Sequence, residues 1–529
     1  MMKQGMSSIV DIGCKVQTLK FKITNLRPNL FDYQTYIKIT PRFFVLFLIF
    51  NLVILEIYAG VSLFADGSFF LINILSTKNF FIFYKARIFS QLIPQIPVVY
   101  ALKFGVNDLN FLIKIYGFGL IAIPVGLWIS ALIIQIRTDL FWMFVIAFSI
   151  SYLSSGFFAV GEYNFSYGLT ALITSLLLHD NMGKMKQMIL LFSSFFIIVT
   201  YETMIFLGPL LFTICVLRFL TTERNTFFSK ILIVIALFFF LSTVISISSL
   251  LIPGPGHPSG AAGDAFKMTI STHFIFFLFM GFLFVISLNK NSKTPYFLLA
   301  LLIAVAHIVN TNFWCLPEMN YSFRFLSGLG ICFLFALSAL YYFANRRSFL
   351  KFSKGASTIY HSLLFYLLKL MRSLLKIKRT LFNPIPMLVF ISSIIPYYIQ
   401  TIDFYNWGNK YEHEINVQIG MISIKKTLLA DSIYNWFWTS SFLSMILRGN
   451  QTGALFLNGD NNEALQPIDP YGTGDLFNQT DSSALKYLNK KSPYYHDWPL
   501  LDNLDRFLAF NASMHGLRRP NGSLPGSGL

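Results

Sequence analysis

The chain has 529 residues, 55% of them hydrophobic and only 12% charged, with 59 phenylalanines and a mean hydropathy of +0.60. That balance excludes an ordinary soluble globular protein and, with its long apolar runs, describes an integral membrane protein. The net charge of +17 does not mark a nucleic-acid binder, because residues 1–402 carry 31 Lys/Arg against 12 Asp/Glu while 403–529 carry 10 against 12. The excess sits in short loops and the N-terminal tail, as the positive-inside rule places it, and forms no continuous basic face.

Residues 1–42 are polar and basic, with Lys15, Lys20, Lys22, Arg27, Lys38 and Arg42, and read as a cytoplasmic tail. They lack the apolar core and small-residue cleavage site of a signal peptide, so the first helix is expected to act as an uncleaved anchor. The transmembrane domain is expected over 43–402. Its first span, roughly 43–64 and including "FFVLFLIFNLVIL", leads to a first outer loop at 65–88. Between 88 and 160 lie three apolar segments, a number that does not by itself put Asp66 and Glu162 on the same side. Either 88–105, broken by Pro94 and Pro97, fails to cross, or 140–160 spans only in part.

The basic clusters Lys184–Lys186 and Arg218–Lys230 both read as cytoplasmic. The apolar stretch between them then predicts a hairpin of two short passes with Glu202 at its far turn; one long tilted helix is the alternative. Spans come next at about 230–252, 271–288, 296–313, 323–344 and 385–402. Residues 361–379 form a basic amphipathic stretch expected on the cytoplasmic surface. The sequence therefore predicts an all-α polytopic membrane protein of about 10–12 transmembrane helices. The segment 403–529 is expected to form a small extracytoplasmic C-terminal part, with an interfacial helix at 431–447 whose Trp436 and Trp438 suit the headgroup level. The four cysteines, Cys14, Cys215, Cys315 and Cys332, have no CxxC spacing and read as packing residues.

Ionisable groups at the edge of a bilayer are costly and are the first functional candidates. On this topology the outer edge collects Asp66, Glu162, Glu202, His257, Asp264, Glu318 and Arg324. Asp66 also fits a plain helix C-terminal turn capped by Gly67. The residues C-terminal to it favour a site: an amphipathic aromatic run, then the cation pair Lys85 and Arg87, suited to an anionic headgroup beside a base. Glu162 and Glu202 are candidates for holding a substrate, as is His257 in the loop "PGPGHPSGAAGD". No His/Asp/Glu set has metal-ligand spacing, and there is no phosphate-binding Gly-rich motif.

An acid in the first outer loop followed by interfacial helices resembles the GT-C glycosyltransferases. The stretches that carry the resemblance are "ADGSFFLINILSTKNFFIFYKARIFSQLIPQIPVVYALKFGV", "YETMIFLGPLLF" and "YNWFWTSSFLSMIL". The resemblance implies a GT-C-like membrane fold in the cytoplasmic (inner) membrane of a bacterium, and the loop charges put the C-terminus on the extracytoplasmic side. It implies a polyprenyl-phosphate sugar as donor and a cell-surface glycan, lipid or protein as acceptor. Asp66 would be the general base, Lys85, Arg87 and Arg324 would hold the donor phosphate, and Glu162, Glu202 and His257 would hold the acceptor. Asp66-Gly67 stands where some members carry a pair of acids, which leaves a divalent cation an open requirement. The alternative is a transporter or flippase of lipid-linked saccharides, which predicts charge at mid-bilayer; Glu56 and Glu202 are the main residues that could supply it.

Overall fold

In a computed structural model, the described residues are 33–83, 85–153, 162–223, 226–251, 317–344, 384–417 and a few positions from 421 to 457. Nearly all of them are helical. The helices are α1 (Tyr33–Tyr58), α2 (Asp66–Thr77), α3 (Ile88–Lys103), α4 (Leu109–Gly117), α5 (Ile123–Ile134) and α6 (Leu140–Phe148). They continue with α7 (Glu162–Leu177), α8 (Lys184–Phe196), α9 (Met204–Thr221), α10 (Phe227–Leu251), α11 (Pro317–Ala344) and α12 (Pro384–Val417). A π-helical segment at Phe118–Ala122 joins α4 to α5, and another at Ser149–Leu153 extends α6. Strands β1 (Met421–Ser423) and β2 (Leu455–Leu457) pair in parallel, a short ladder among described residues that are otherwise helical or in turns.

Five of these helices are long and apolar enough to cross a membrane: Pro41–Tyr58, Leu109–Ile134, Met204–Thr221, Phe227–Leu251 and Pro386–Val417. Leu140–Leu153 and Ser327–Phe343 are shorter apolar helices. On α10, Ile233, Leu237, Phe240 and Val244 are exposed, which in water would be an unprotected apolar stripe and in a bilayer is the lipid-facing side. The protein is a helical membrane protein, since helices satisfy their own backbone groups where water is absent.

Two boundaries differ from expectation. Helix α1 begins at Tyr33, within the stretch read as a tail, and α12 continues past residue 402 to Val417. The extension carries Lys410, Glu412 and Glu414, which are good helix formers, so the helix has no reason to stop where the apolar run stops. The tail up to residue 32, the loop 253–270 with His257, the stretches 271–288, 296–313 and 361–379, and most of 431–447 lie outside the described residues. By internal contacts the chain divides into residues 1–50 and 51–529. The first unit contains the N-terminal part of α1; the second contains the remaining helices.

Within the second unit, α7 is central. Every residue from Tyr163 to Leu177 is buried, including Asn164, Ser166, Thr170, Thr174 and Ser175. A 16-residue helix is about 24 Å long, so α7 has two well-separated ends. Helix α5 runs beside it in the same direction: a Cβ on Gly168 would lie 2.6 Å from the Pro124 carbonyl oxygen, and Ser175 Oγ donates to the Ala131 carbonyl at 2.9 Å. Gln135, just past α5, donates to the Ser175 carbonyl at 2.8 Å.

These contacts resolve how the chain travels between Asp66 and Glu162. Helix α3 does not lead to the far end of α7. Its Gln95 pairs with the backbone of Phe81, accepting from the amide at 2.8 Å and donating to the carbonyl at 2.7 Å, and Lys103 lies over the Phe80 ring at 5.7 Å. The segment after α2 therefore runs back along α3. Leu109–Ile134 makes the passage to the far end, and Leu140–Leu153 makes the return, so Asp66 and Glu162 share an end. Helices α8 and α9 are separate, with Glu202 in the turn between them. Helices α9 and α10 lie antiparallel, with Gly208 against Thr243 and the Cys215 thiol against the Leu232 carbonyl at 3.2 Å.

At the far end of α7, Lys186 Nζ and His179 Nε2 lie 2.6 Å apart, and Arg218 Nη2 donates to the His179 carbonyl at 2.9 Å. Burial, then Lys186 and Arg218, push the His179 pKa below its ordinary 6.5. Below that pH the unfolded chain takes up a proton that the folded one resists, so stability falls on acidification. In detergent, thermal stability is expected to drop as pH is lowered through 6.5, and His179→Gln to flatten that slope. Close backbone packing gives a second expectation. A Cβ on Gly119 would lie 1.9 Å from the Pro94 carbonyl oxygen. Gly119→Ala must push α3 away from the π segment, and is expected to cost roughly 1–3 kcal/mol in the same unfolding assay.

Candidate functional site

The loop after α1 sets the first part of the site. Gly60, at φ 71°, ends the turn after α1, so the helix cap lies there and not at Gly67. Asp66 is the first residue of α2, where the positive end of the helix dipole favours a carboxylate. Ala65 before it has φ 50° and ψ −128°, a conformation that favours glycine, and is buried. A non-glycine residue held there marks local strain that the surrounding fold must enforce. Phe69 and Phe70, one turn on, pack edge-on against Phe81 and Phe83 with ring centroids 5.7–6.4 Å apart.

Arg87 closes the short 3-10 turn Lys85–Arg87 at the start of α3 and is buried. Its Nε donates to both Glu202 oxygens, at 2.8 and 3.1 Å, and its Nη1 donates to Glu162. Gln91, one helical turn later, donates to the other Glu162 oxygen, and its own Oε1 accepts from the Phe83 amide at 2.9 Å. The guanidinium lies 4.7 Å from the centre of the Tyr201 ring. Backbone contacts hold the three elements in register: the Phe89 amide donates to the Val199 carbonyl at 3.1 Å, and Ser90 Oγ donates to the Thr200 carbonyl at 2.7 Å. Burial alone would disfavour the charge on Arg87, but Glu162 and then Glu202 outweigh it and raise its pKa well above the ordinary arginine value.

Three of the residues singled out from sequence thus meet in one cluster: Arg87, Glu162 and Glu202. Asp66 joins their neighbourhood through the buried Tyr116 phenol, on which both Asp66 and Glu162 act electrostatically. Lys85 opens the turn that Arg87 closes, and Arg324 lies on α11 one turn before Gly328, which packs against Phe206 and Tyr167. Both are therefore placed by the backbone at the end of α7 that carries Glu162. His257 lies outside the described residues. Among the described residues, no group of three or more His, Cys, Asp or Glu is arranged to hold a metal ion.

Sequence reasoning passed over Gln91, Tyr116 and Tyr201. The spacing Arg87, Gln91, Gln95 is i, i+4, i+8 and puts all three on one helical face, a readable polar stripe. The tyrosines carry no such signal. A further carboxylate lies in α1: Glu56 is 1% exposed and accepts hydrogen bonds from the hydroxyls of Tyr397 at 2.6 Å and Tyr152 at 3.0 Å. No family model, curated protein or solved structure matches the chain.

Chemically, the cluster is a cation fixing two carboxylates in a nearly dry setting, with a third carboxylate close by on a strained helix start. Arg87 uses its donors on the acids, so its immediate role is to position them. Removing one member of a buried ion pair leaves an uncompensated charge, which typically costs roughly 3–5 kcal/mol. Arg87→Gln is expected to destabilise the protein by that order in detergent unfolding. Combining it with Glu162→Gln and Glu202→Gln should restore much of the loss, since no unpaired charge is then left.

Proposed function

We propose that the protein is a membrane glycosyltransferase of the GT-C type, moving a sugar from a polyprenyl-phosphate donor to a cell-surface glycan, lipid or protein acceptor. The observation that supports it is the convergence of Asp66, Arg87, Glu162 and Glu202 at one end of the helical unit, although Arg87 and Glu202 lie 115 residues apart in sequence. In this reading Asp66 takes the proton from the acceptor hydroxyl. Glu162 and Glu202, held by Arg87, accept hydrogen bonds from the sugar or acceptor hydroxyls. Lys85 and Arg324 stabilise the departing phosphate. The site end faces the extracytoplasmic side of a bacterial cytoplasmic membrane, with about 10–12 passes in the whole chain. A divalent cation at the phosphate is an optional part of this scheme.

The second reading is transport or flipping of a lipid-linked saccharide, and Glu56 favours it. A carboxylate buried within the first span, held by hydroxyls from α12 and the π segment after α6, is a feature that catalysis at Asp66 does not use.

The test is turnover by purified protein in nanodiscs with a panel of radiolabelled polyprenyl-phosphate sugars. The wild type is expected to transfer or slowly hydrolyse one donor, and Asp66→Asn to lower that rate by about 100- to 10,000-fold while staying folded. An Asp66→Asn variant as active as the wild type would remove Asp66 as the base. Donor binding without any turnover, abolished by Glu56→Gln, would favour transport.

A further inference from the structure

The far end of α7 contains a buried cation that catalysis at Asp66 leaves unused. Arg218, in the last turn of α9, is 4% exposed. Its Nη2 donates to the His179 carbonyl and its Nη1 to the Tyr342 hydroxyl, while its Nε has no hydrogen-bond partner. Among the described residues no carboxylate lies within ion-pair distance of it. The nearby Asp180 carboxylate accepts from the Tyr342 hydroxyl at 2.7 Å. Phe228 and Tyr342 line the guanidinium, with ring centres 5.8 and 5.6 Å away. A buried charge with an orphaned donor is costly, and an anion supplied from outside would relieve that cost.

A second cation and an apolar flank stand beside it. Lys186 is half-exposed next to His179. On the same helix, Met185, Met188, Ile189 and Phe192 are exposed at i, i+3, i+4 and i+7, a single apolar stripe. Basic residues at helix ends beside an apolar, lipid-facing stripe are the combination that recognises an anionic lipid, the phosphate meeting the cations and the acyl chain lying on the stripe.

We infer that Arg218 and Lys186 bind the phosphate of an anionic phospholipid headgroup, with its acyl chain along the exposed face of α8. The site is separate from the Arg87 cluster and independent of the glycosyltransferase reading.

Native mass spectrometry of the full chain, with phosphatidylglycerol against phosphatidylcholine, tests it. The wild type should retain phosphatidylglycerol preferentially. Lys186→Gln, at a half-exposed position that leaves the fold intact, should weaken retention about fivefold. Arg218→Gln should weaken it at least as much, with Arg218→Lys in between. Inorganic phosphate, added as a competitor, separates the sources: displacement of the lipid shows that the phosphate group alone is recognised, and no displacement shows that the acyl chain contributes. Equal phosphatidylglycerol preference in the wild type and in Lys186→Gln would overturn the inference.

Discussion

The arrangement of the second unit turns on the Arg87 guanidinium, because it is the group that ties three distant pieces of chain to one point. It sits at the start of α3, reaches Glu162 at the start of α7, and reaches Glu202 in the turn between α8 and α9. Each of those elements would otherwise bring an isolated charge into a buried setting, at a cost of several kcal/mol per ion. Together they are mutually satisfied, and Gln91 and Tyr201 complete the surroundings. The pairing fixes where α7 begins, and α7 is the helix around which the others pack.

That central helix explains a feature that would be a defect on the outside of the bundle. Its serines, threonines and Asn164 would be unfavourable against lipid, yet they are enclosed by neighbouring helices, and Ser166, Thr170 and Ser175 bond to those helices or to their own backbone. Thr170 donates to the Ser166 carbonyl at 2.8 Å, and Ser175 reaches Ala131. Small residues make the approach close enough: Gly168 lets α7 lie against Pro124, and Gly119 lets the π segment lie against Pro94. Both π segments adjoin the polar end, next to Tyr116 and containing Tyr152, in keeping with their frequent use near functional groups.

The two ends of α7 then have opposite chemistry. One holds three carboxylates and Arg87; the other holds Arg218, Lys186 and His179 with Asp180. Between them the outer faces are apolar and the inner helix is polar. Glu56 stands apart from both, enclosed among tyrosines near the polar end.

The sequence by itself determined the membrane class, the long apolar spans at 43–58, 230–251 and 386–402 among the described residues, and the identity of the costly charges. Low charge content and long apolar runs admit few other solutions, and an acid in such a chain is conspicuous. Asp66, Arg87, Glu162 and Glu202 could all be picked out in this way, and Glu202 was placed at a turn because basic clusters flank the stretch on both sides. Hydropathy could not assign α3 or α7, since one is apolar without leading to the far end and the other is polar yet buried. Tertiary structure alone decided that Asp66 starts a helix, that Arg87 grips two acids, and that Tyr116, Tyr201 and Arg218 matter. The physical reason is that hydropathy and charge act locally along the chain, whereas the pairing of buried charges depends on which helix ends the packing brings together.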